Sequence, residues 1–253
     1  MNPVIDLGFI SIHLYSVFLF FAMLTAYFII TKEAKKQNIN EEIITNLIFY
    51  TIIYGIIGAR MYFVIFHLDY YINDPIRILK VWEGGLAIHG GIIAGIIFIY
   101  FYCKKNNLNI LKTLDIIVVG LIIAQAIGRW GNFFNGEAHG PETTLNTLEN
   151  MYLPDFIING MYIGGTYYIP TFLFESVLCL LGFIILLILR KKTKKTGILT
   201  SFYLIYYAVI RFFIESLRTD SLMFFDFKAA QVVSIIMIII GIIILIRKEK
   251  CNV

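Results

Sequence analysis

Charge is scarce in this sequence. Asp, Glu, Lys and Arg make up 15% of its 253 residues, against about 25% in an ordinary soluble domain. Apolar residues reach 59% and the mean hydropathy is +0.80, which excludes a soluble globular chain. Cysteine is also rare. Cys103, Cys179 and Cys251 show neither CxxC spacing nor clustering with histidine, so neither a disulfide framework nor a zinc site is indicated. No Pro/Gly/Ser linker, composition shift or internal repeat divides the chain, and a single transmembrane domain over 1–253 is expected, with an outer connection at about 130–170. Lys and Arg are missing before the first apolar run, so a basic leader segment is not indicated and that run is expected to persist as a helix. HExxH, GxSxG and Asp-rich metal motifs are absent. Neither a metal nor another cofactor is therefore expected.

What is present is long apolar runs. Seven reach or approach the ~20 residues that cross a bilayer: 11–31, 43–66, 87–103, 113–129, 171–189, 198–217 and 229–246. The expected fold is an all-α integral membrane protein with seven transmembrane helices. Basic residues concentrate in "KEAKK" (32–36), at Lys104, Lys105 and Lys112, in "RKKTKK" (190–195) and in the tail "RKEK" (247–250), which together hold 14 of the 21 Lys and Arg. The alternate connections carry only Arg77, Lys80, Arg218 and Lys228, with Arg129 at a border. The positive-inside rule then puts the N-terminus outside and the C-terminus in the cytoplasm. On this reading the net charge of +4 anchors the chain to a bilayer, and no nucleic-acid partner is implied.

The remaining polar residues fall on one side of that map. Tyr15 starts span 1 and Arg60 lies in the outer part of span 2. His89 opens span 3 in "EGGLAIHGG", and Arg129, Asn132, Asn135 and Glu137 follow span 4. Glu175 begins span 5, and Arg211 and Glu215 lie in the outer half of span 6. Spans alternate in direction, so residues scattered by chance would not gather at one face. An arginine at a helix centre costs ~2.5–3.5 kcal/mol even on the lenient insertion scale. Arg211 sits roughly 9 Å inside its span at ~1.5 Å per residue. Tyr207, Arg211, Glu215 and Arg218 share one helical face, as do Gln125, Arg129 and Asn132 if their helix continues that far. A structural Arg211–Glu215 pair and a ligand site both fit this pattern.

Arginine's planar fork of donors matches phosphate oxygens. Arg129 and Arg211, with Arg60 as a third candidate, therefore suit a phospholipid phosphate. Glycines at 128, 131, 136 and 140 are read as allowing tight turns and close backbone approach. Asn132, Asn135 and Glu137 offer partners for hydroxyls or for orienting an arginine. His89, flanked by Gly90 and Gly91, is the best-placed proton acceptor, since a neutral imidazole of pKa ~6.5 acts as a base near neutrality. A hydrogen-bonded interfacial histidine is the plainer alternative. His13 and His139 are weaker candidates, and His67 is read as interfacial.

The stretch "GRWGNFFNGEAHG" resembles the signature of the bacterial prolipoprotein diacylglyceryl transferases, through Gly128, Arg129, Gly131, Asn132, Phe133, Asn135, Glu137 and Gly140. "IHLYSVFLF", "GARMYFVIF", "VWEGGLAIHGG" and "YAVIRFFIESLR" resemble further family segments in the family's order. The resemblance implies transfer of the diacylglyceryl group from phosphatidylglycerol to the lipobox cysteine of a preprolipoprotein signal peptide, forming a thioether and releasing glycerol 1-phosphate. It implies a multi-pass protein of the bacterial cell membrane whose site faces the outer leaflet, with no cofactor. It also suggests Arg129 on the lipid phosphate, Arg211 on the lipid or leaving group, and His89 as the acceptor of the thiol proton. Tyr15, Asn132, Glu137, Tyr207 and Glu215 correspond to polar family positions that orient lipid and arginines, and Asn135, Gly140 and Arg60 complete the expected binding set. One segment departs: "IPTFLFE" has Ile169 and Phe174 where the family commonly has histidine and tyrosine, while Pro170, Thr171, Leu173 and Glu175 remain. No catalytic role falls to those two positions. The competing reading is a lipid-binding transporter, which would need access from both sides of the membrane.

Overall fold

The protein is described from a computed structural model, in which residues 3–6, 8, 11–219, 223–224 and 227–247 are described. Cys251 and the basic residues of the tail beyond Arg247 lie outside the described residues. In chain order, a hairpin of β1 (Val4–Asp6) and β2 (Ser11–His13) leads into α1 (Leu14–Lys36), α2 (Glu41–Phe66) and the short α3 (Leu68–Ile72). Two 3-10 turns, Pro75–Leu79 and Val81–Glu83, precede α4 (Ile88–Lys105) and α5 (Ile110–Asn135). Then come β3 (Glu142–Thr143), α6 (Leu145–Asn150), α7 (Asp155–Gly160), β4 (Tyr162–Ile163) and β5 (Thr166–Tyr168). The chain continues through α8 (Thr171–Lys192), α9 (Ile198–Leu217), the hairpin β6 (Met223–Phe224) and β7 (Phe227–Lys228), and α10 (Ala229–Ile246). Among the described residues, α1, α2, α4, α5, α8, α9 and α10 are each long and apolar enough to cross a bilayer, so the expected all-α membrane architecture is borne out.

The largest departure from the sequence expectation is the end of α5. The helix does not stop near 129 but runs to Asn135, so Arg129, Asn132 and Asn135 stand on a helix and not in a loop after it. Glycines tolerated inside membrane helices explain this. Gly131 admits a close neighbour: a Cβ there would lie 2.9 Å from the Tyr15 ring. The helix ends where Gly136 takes φ +67, with its N–H on the carbonyl of Phe133 and that of Glu137 on Asn132. This left-handed cap is a glycine conformation.

The chain forms two compact units, residues 30–113 and residues 1–29 with 114–253. In the first, α2 and α4 pack antiparallel along a seam of small residues. A Cβ on Gly58 would lie 2.2 Å from that of Ala94, and one on Gly90 would lie 2.4 Å from the Gly58 carbonyl oxygen. Small residues let backbones approach where lipid offers no hydrophobic drive to association. The Tyr102 hydroxyl closes the far end of this pair on the Ile43 carbonyl at 3.1 Å.

In the second unit, α5, α8 and α9 bury a core of Val118, Val119, Ile122, Ala126, Cys179, Leu186, Leu199 and Tyr203. Three polar ties fix the relative heights of these helices and of α10. Asp115 on α5 accepts from the Gly197 N–H at 2.6 Å, the Thr200 N–H at 2.8 Å and the Thr200 hydroxyl at 2.6 Å, capping the start of α9. Ser176 donates to the Ala126 carbonyl at 2.8 Å, and Ser201 to that of Gly241 at 2.6 Å. Residues between α5 and α8 form a packed head. Its sheet has the order β3-β5-β4, with Glu142 opposite Tyr168 and Ile163 opposite Thr166. Leu148, Ile157, Ile158 and Met161 fill it against Phe133 of α5 and Phe172 of α8. The head's base is therefore built on α5 and α8.

Candidate active site

Three helices of the second unit each contribute one face to a polar cluster. On α5, Gln125, Arg129 and Asn132 stand at i, i+4 and i+7. On α9, Tyr203, Tyr207, Arg211 and Glu215 stand at successive i+4 steps, so each set lines one helical side. Gln125 donates to the Tyr203 hydroxyl at 3.0 Å, and Arg129 Nη2 to that of Tyr207 at 3.3 Å. The Tyr203 and Tyr207 rings stack with centroids 5.8 Å apart and planes 2° apart. Both rungs thus hold α5 and α9 in register.

Glu175, from the first turns of α8, sits at the centre. Its side chain is 2% exposed. Oε1 lies 2.8 Å from Arg129 Nη2, Oε2 lies 3.2 Å from Arg211 Nη1, and the Tyr207 hydroxyl donates to Oε1 at 3.2 Å. Arg211 also approaches Glu215, with Nη2 2.6 Å from Oε2. That oxygen makes no directed hydrogen bond, so the close approach is a charge contact off the N–H axis. Arg129 reaches Asn132 Oδ1 at 3.4 Å through Nη1. Two guanidinium ions and two carboxylates make the cluster formally neutral, which reduces the penalty of holding charge in lipid. Each guanidinium carries five N–H donors, more than these carboxylates take up. The arrangement is therefore chemically able to receive an oxyanion.

Beyond the helix end, Asn135 Nδ2 donates to Glu137 Oε1 at 3.3 Å, and Glu137 is exposed. Gly140 is buried and tight: a Cβ there would lie 2.9 Å from that of Ile169 and 3.0 Å from the Thr171 methyl. Its N–H bonds the Ile169 carbonyl at 2.8 Å, while the Thr171 hydroxyl takes the Ala138 carbonyl at 2.6 Å. Signature residues 136–140 are thus stitched to the start of α8, the helix that supplies Glu175. Ile169 serves this contact through its backbone and Cβ, which an apolar residue satisfies. Tyr15, at the start of α1, packs its ring on Gly131.

Of the residues singled out from the sequence, this unit brings together Arg129, Asn132, Tyr207, Arg211 and Glu215, with Asn135 at the end of α5, Glu137 and Gly140 beyond it, and Tyr15 of α1 packed on Gly131. Arg60 and His89 belong to the unit of residues 30–113. His89 is half-buried in the first turn of α4, its ring 6.4 Å from that of Tyr62. Arg60 is 5% exposed and turns all five donors onto backbone carbonyls. Sequence reasoning placed Glu175 among the polar residues gathered on one side but gave it no role in the site, and it did not notice Asp115. The signal for Glu175 was its place in "IPTFLFE", a carboxylate opening an apolar span. Asp115 offered the same kind of signal inside "KTLDII".

The family model for prolipoprotein diacylglyceryl transferase matches residues 2–247. Several curated relatives are phosphatidylglycerol–prolipoprotein diacylglyceryl transferases. The chain is 47% identical to the one from Staphylococcus saprophyticus over 245 residues, 96% of this chain and 88% of that protein. It is 46% identical to the Listeria monocytogenes protein over 254 residues, 100% and 92% of the two chains. With the Staphylococcus carnosus protein it shares 48% identity over 251 residues, 98% and 91%.

Proposed function

Because the chain belongs to the prolipoprotein diacylglyceryl transferase family, we propose that its Arg129–Glu175–Arg211 cluster is the place where a donor phosphate is held and its departure assisted. The protein transfers diacylglyceryl from phosphatidylglycerol to prolipoproteins in a bacterial membrane. The thiol of the lipobox cysteine attacks the glycerol carbon that bears the phosphate ester. A C–S bond forms as the C–O bond breaks, glycerol 1-phosphate departs with the bonding electrons, and the thiol proton passes to a base.

Negative charge grows on the departing phosphate, so donors already aimed at it lower the barrier without reorganising. Arg129 takes the lipid phosphate and Arg211 the oxygen on which charge develops. Asn132 and Tyr207 aim the first guanidinium, and Glu215 the second. Glu175 spans both and keeps their forks apart and oriented before any substrate arrives. Arg60 enters this reading as a support and not as a phosphate ligand, because its donors are already committed. His89 is the proposed acceptor of the thiol proton, since a cysteine of pKa ~8.5 is mostly protonated near neutrality. The site works at the outer leaflet, where an exported cysteine meets its lipid, and the N-terminus lies on that side.

One observation carries the reading: two arginines from separate helices share one buried carboxylate, among helices long and apolar enough to cross a bilayer. Its test is transfer from phosphatidylglycerol to a fluorescent lipobox peptide, beside a Cys→Ser peptide. The expected result is a mass gain on the cysteine peptide alone, with release of glycerol phosphate. Arg129→Ala should remain folded and lose binding of phosphatidylglycerol; unchanged transfer by that variant would refute its role.

A further inference from the structure

The chain between α2 and α4 has a construction that a water-exposed loop does not need. Arg60 Nε donates to the Ile78 carbonyl at 2.9 Å, Nη1 to Gly84 at 2.7 Å and Gly85 at 3.0 Å, and Nη2 to Lys80 at 3.3 Å and to Arg77. Its guanidinium also lies over the Tyr71 ring, 5.1 Å from the centroid. One buried side chain thereby satisfies five carbonyls of an irregular segment. In water those carbonyls would find partners at no cost. At membrane depth an unsatisfied backbone group costs several kcal/mol, and irregular backbone persists only where protein satisfies it.

The same segment leaves large apolar side chains exposed. Ile72 is 69% exposed, Ile76 69%, Leu79 74% and Trp82 77%. Four of its five charged residues pair within it, Arg77 with Asp74 at 3.1 Å and Lys80 with Glu83 at 3.5 Å, so that only Asp69 adds to its net charge, which is −1. The residues flanking the segment, Phe66 at the end of α2 and Ile88 at the start of α4, are exposed too, and both stand on helices long and apolar enough to span a bilayer. Tryptophan and tyrosine at such a boundary match the aromatic belt of membrane proteins.

We propose that residues 68–87 form an interfacial strap, lying in the boundary between lipid headgroups and acyl chains, with Arg60 supplying the hydrogen bonds that water supplies to an ordinary loop. The partner of this surface is lipid. The strap leads into α4, whose first turn holds His89. Ala87 N–H, just ahead of that turn, bonds the Ala59 carbonyl at 3.0 Å next to Arg60. Arg60 is then a positioning residue for the strap, and this assignment stands whether or not His89 takes the thiol proton.

Tryptophan fluorescence tests it, because the chain has only Trp82 and Trp130. The full protein is placed in phosphatidylglycerol–phosphatidylcholine vesicles, and the signal of Trp82 is taken as the difference between the unmutated protein and Trp82→Phe. Bromine-labelled lipids with the label high on the acyl chain should quench this signal, and aqueous iodide should barely do so. Strong iodide quenching without lipid quenching would overturn the proposal, placing the strap in water; protection from both quenchers would overturn it in favour of a protein partner. Arg60→Lys retains the charge but loses the fork. Its Trp82 signal should shift to the red and gain access to iodide while the helical signal in circular dichroism is kept. An unchanged Trp82 signal in a folded Arg60→Lys protein would remove Arg60 from the strap. Should that variant fail to fold, the comparison with Trp82→Phe still decides where the strap lies.

Discussion

Glu175 shows how a residue acquires its meaning from its neighbours. Its carboxylate touches Arg129 at 2.8 Å and Arg211 at 3.2 Å while only 2% exposed, so removing its charge leaves two guanidinium ions facing each other in a low-dielectric site. Breaking a buried ion pair by deleting one partner costs about 3–5 kcal/mol. Glu175→Gln should lower the melting temperature in detergent and abolish transfer, whereas a variant as stable and active as the parent would show the carboxylate to be dispensable. Arg211→Lys tests the leaving-group role separately. A lysine retains the charge and loses the fork, so the rate of transfer should fall by roughly 10²–10³, as when one oxyanion donor is removed, with phosphatidylglycerol binding largely kept. Equal loss of binding and rate would instead make Arg211 a binding residue. Arg129 and Arg211 were legible in the sequence because a charge inside an apolar run is costly and needs a reason. Glu175 was visible as a polar residue on the same side, but its pairing with both was not legible, since it comes from a third helix.

Helices here are placed by small residues and buried polar ties more than by apolar bulk, as expected where the surroundings are also apolar. Gly58→Ala would put a methyl 2.2 Å from the Ala94 Cβ and 2.8 Å from the Gly90 carbonyl. Forcing a carbon into such a seam costs about 1–3 kcal/mol, and thermal unfolding in detergent should show a destabilised protein. Asp115→Asn should act at the other unit: it replaces one acceptor oxygen of a buried cap with a donor, facing the Gly197 N–H or the Thr200 groups. About 1–3 kcal/mol of destabilisation is expected, readable as faster hydrogen exchange in the first turn of α9; unchanged exchange would count against the cap. The same scale explains the misread end of α5. Glycines at 128 and 131 suggest a loop in the sequence, but at Gly131 the reason is the Tyr15 ring beside it, a contact between positions far apart in the chain.

For the whole molecule, seven spans follow from composition, and the spacing of basic residues sets the orientation expected of them. Tyr152 in the head is 94% exposed, and Asn107 lies in the basic connection between α4 and α5. With Cys251 replaced by serine, leaving the buried Cys103 and Cys179, Tyr152→Cys should react with a membrane-impermeant maleimide on intact cells. Asn107→Cys should react only after lysis. The reverse pattern would invert the topology and move the site to the cytoplasmic leaflet.

The amino-acid sequence by itself determined the all-α membrane class, the number of spans and the polar residues that must find partners, because each of these follows from the local cost of placing backbone or charge in lipid. The folded chain alone decided which partners they find. It made Glu175 the bridge between two arginines, took up Arg60's donors with the carbonyls of the strap, carried α5 through Gly131 to Asn135, and turned the connection before α8 into a packed head. Hydrogen-bond and ion-pair partners on separate elements leave no period or spacing in a single sequence. Only the packing of those elements determines them.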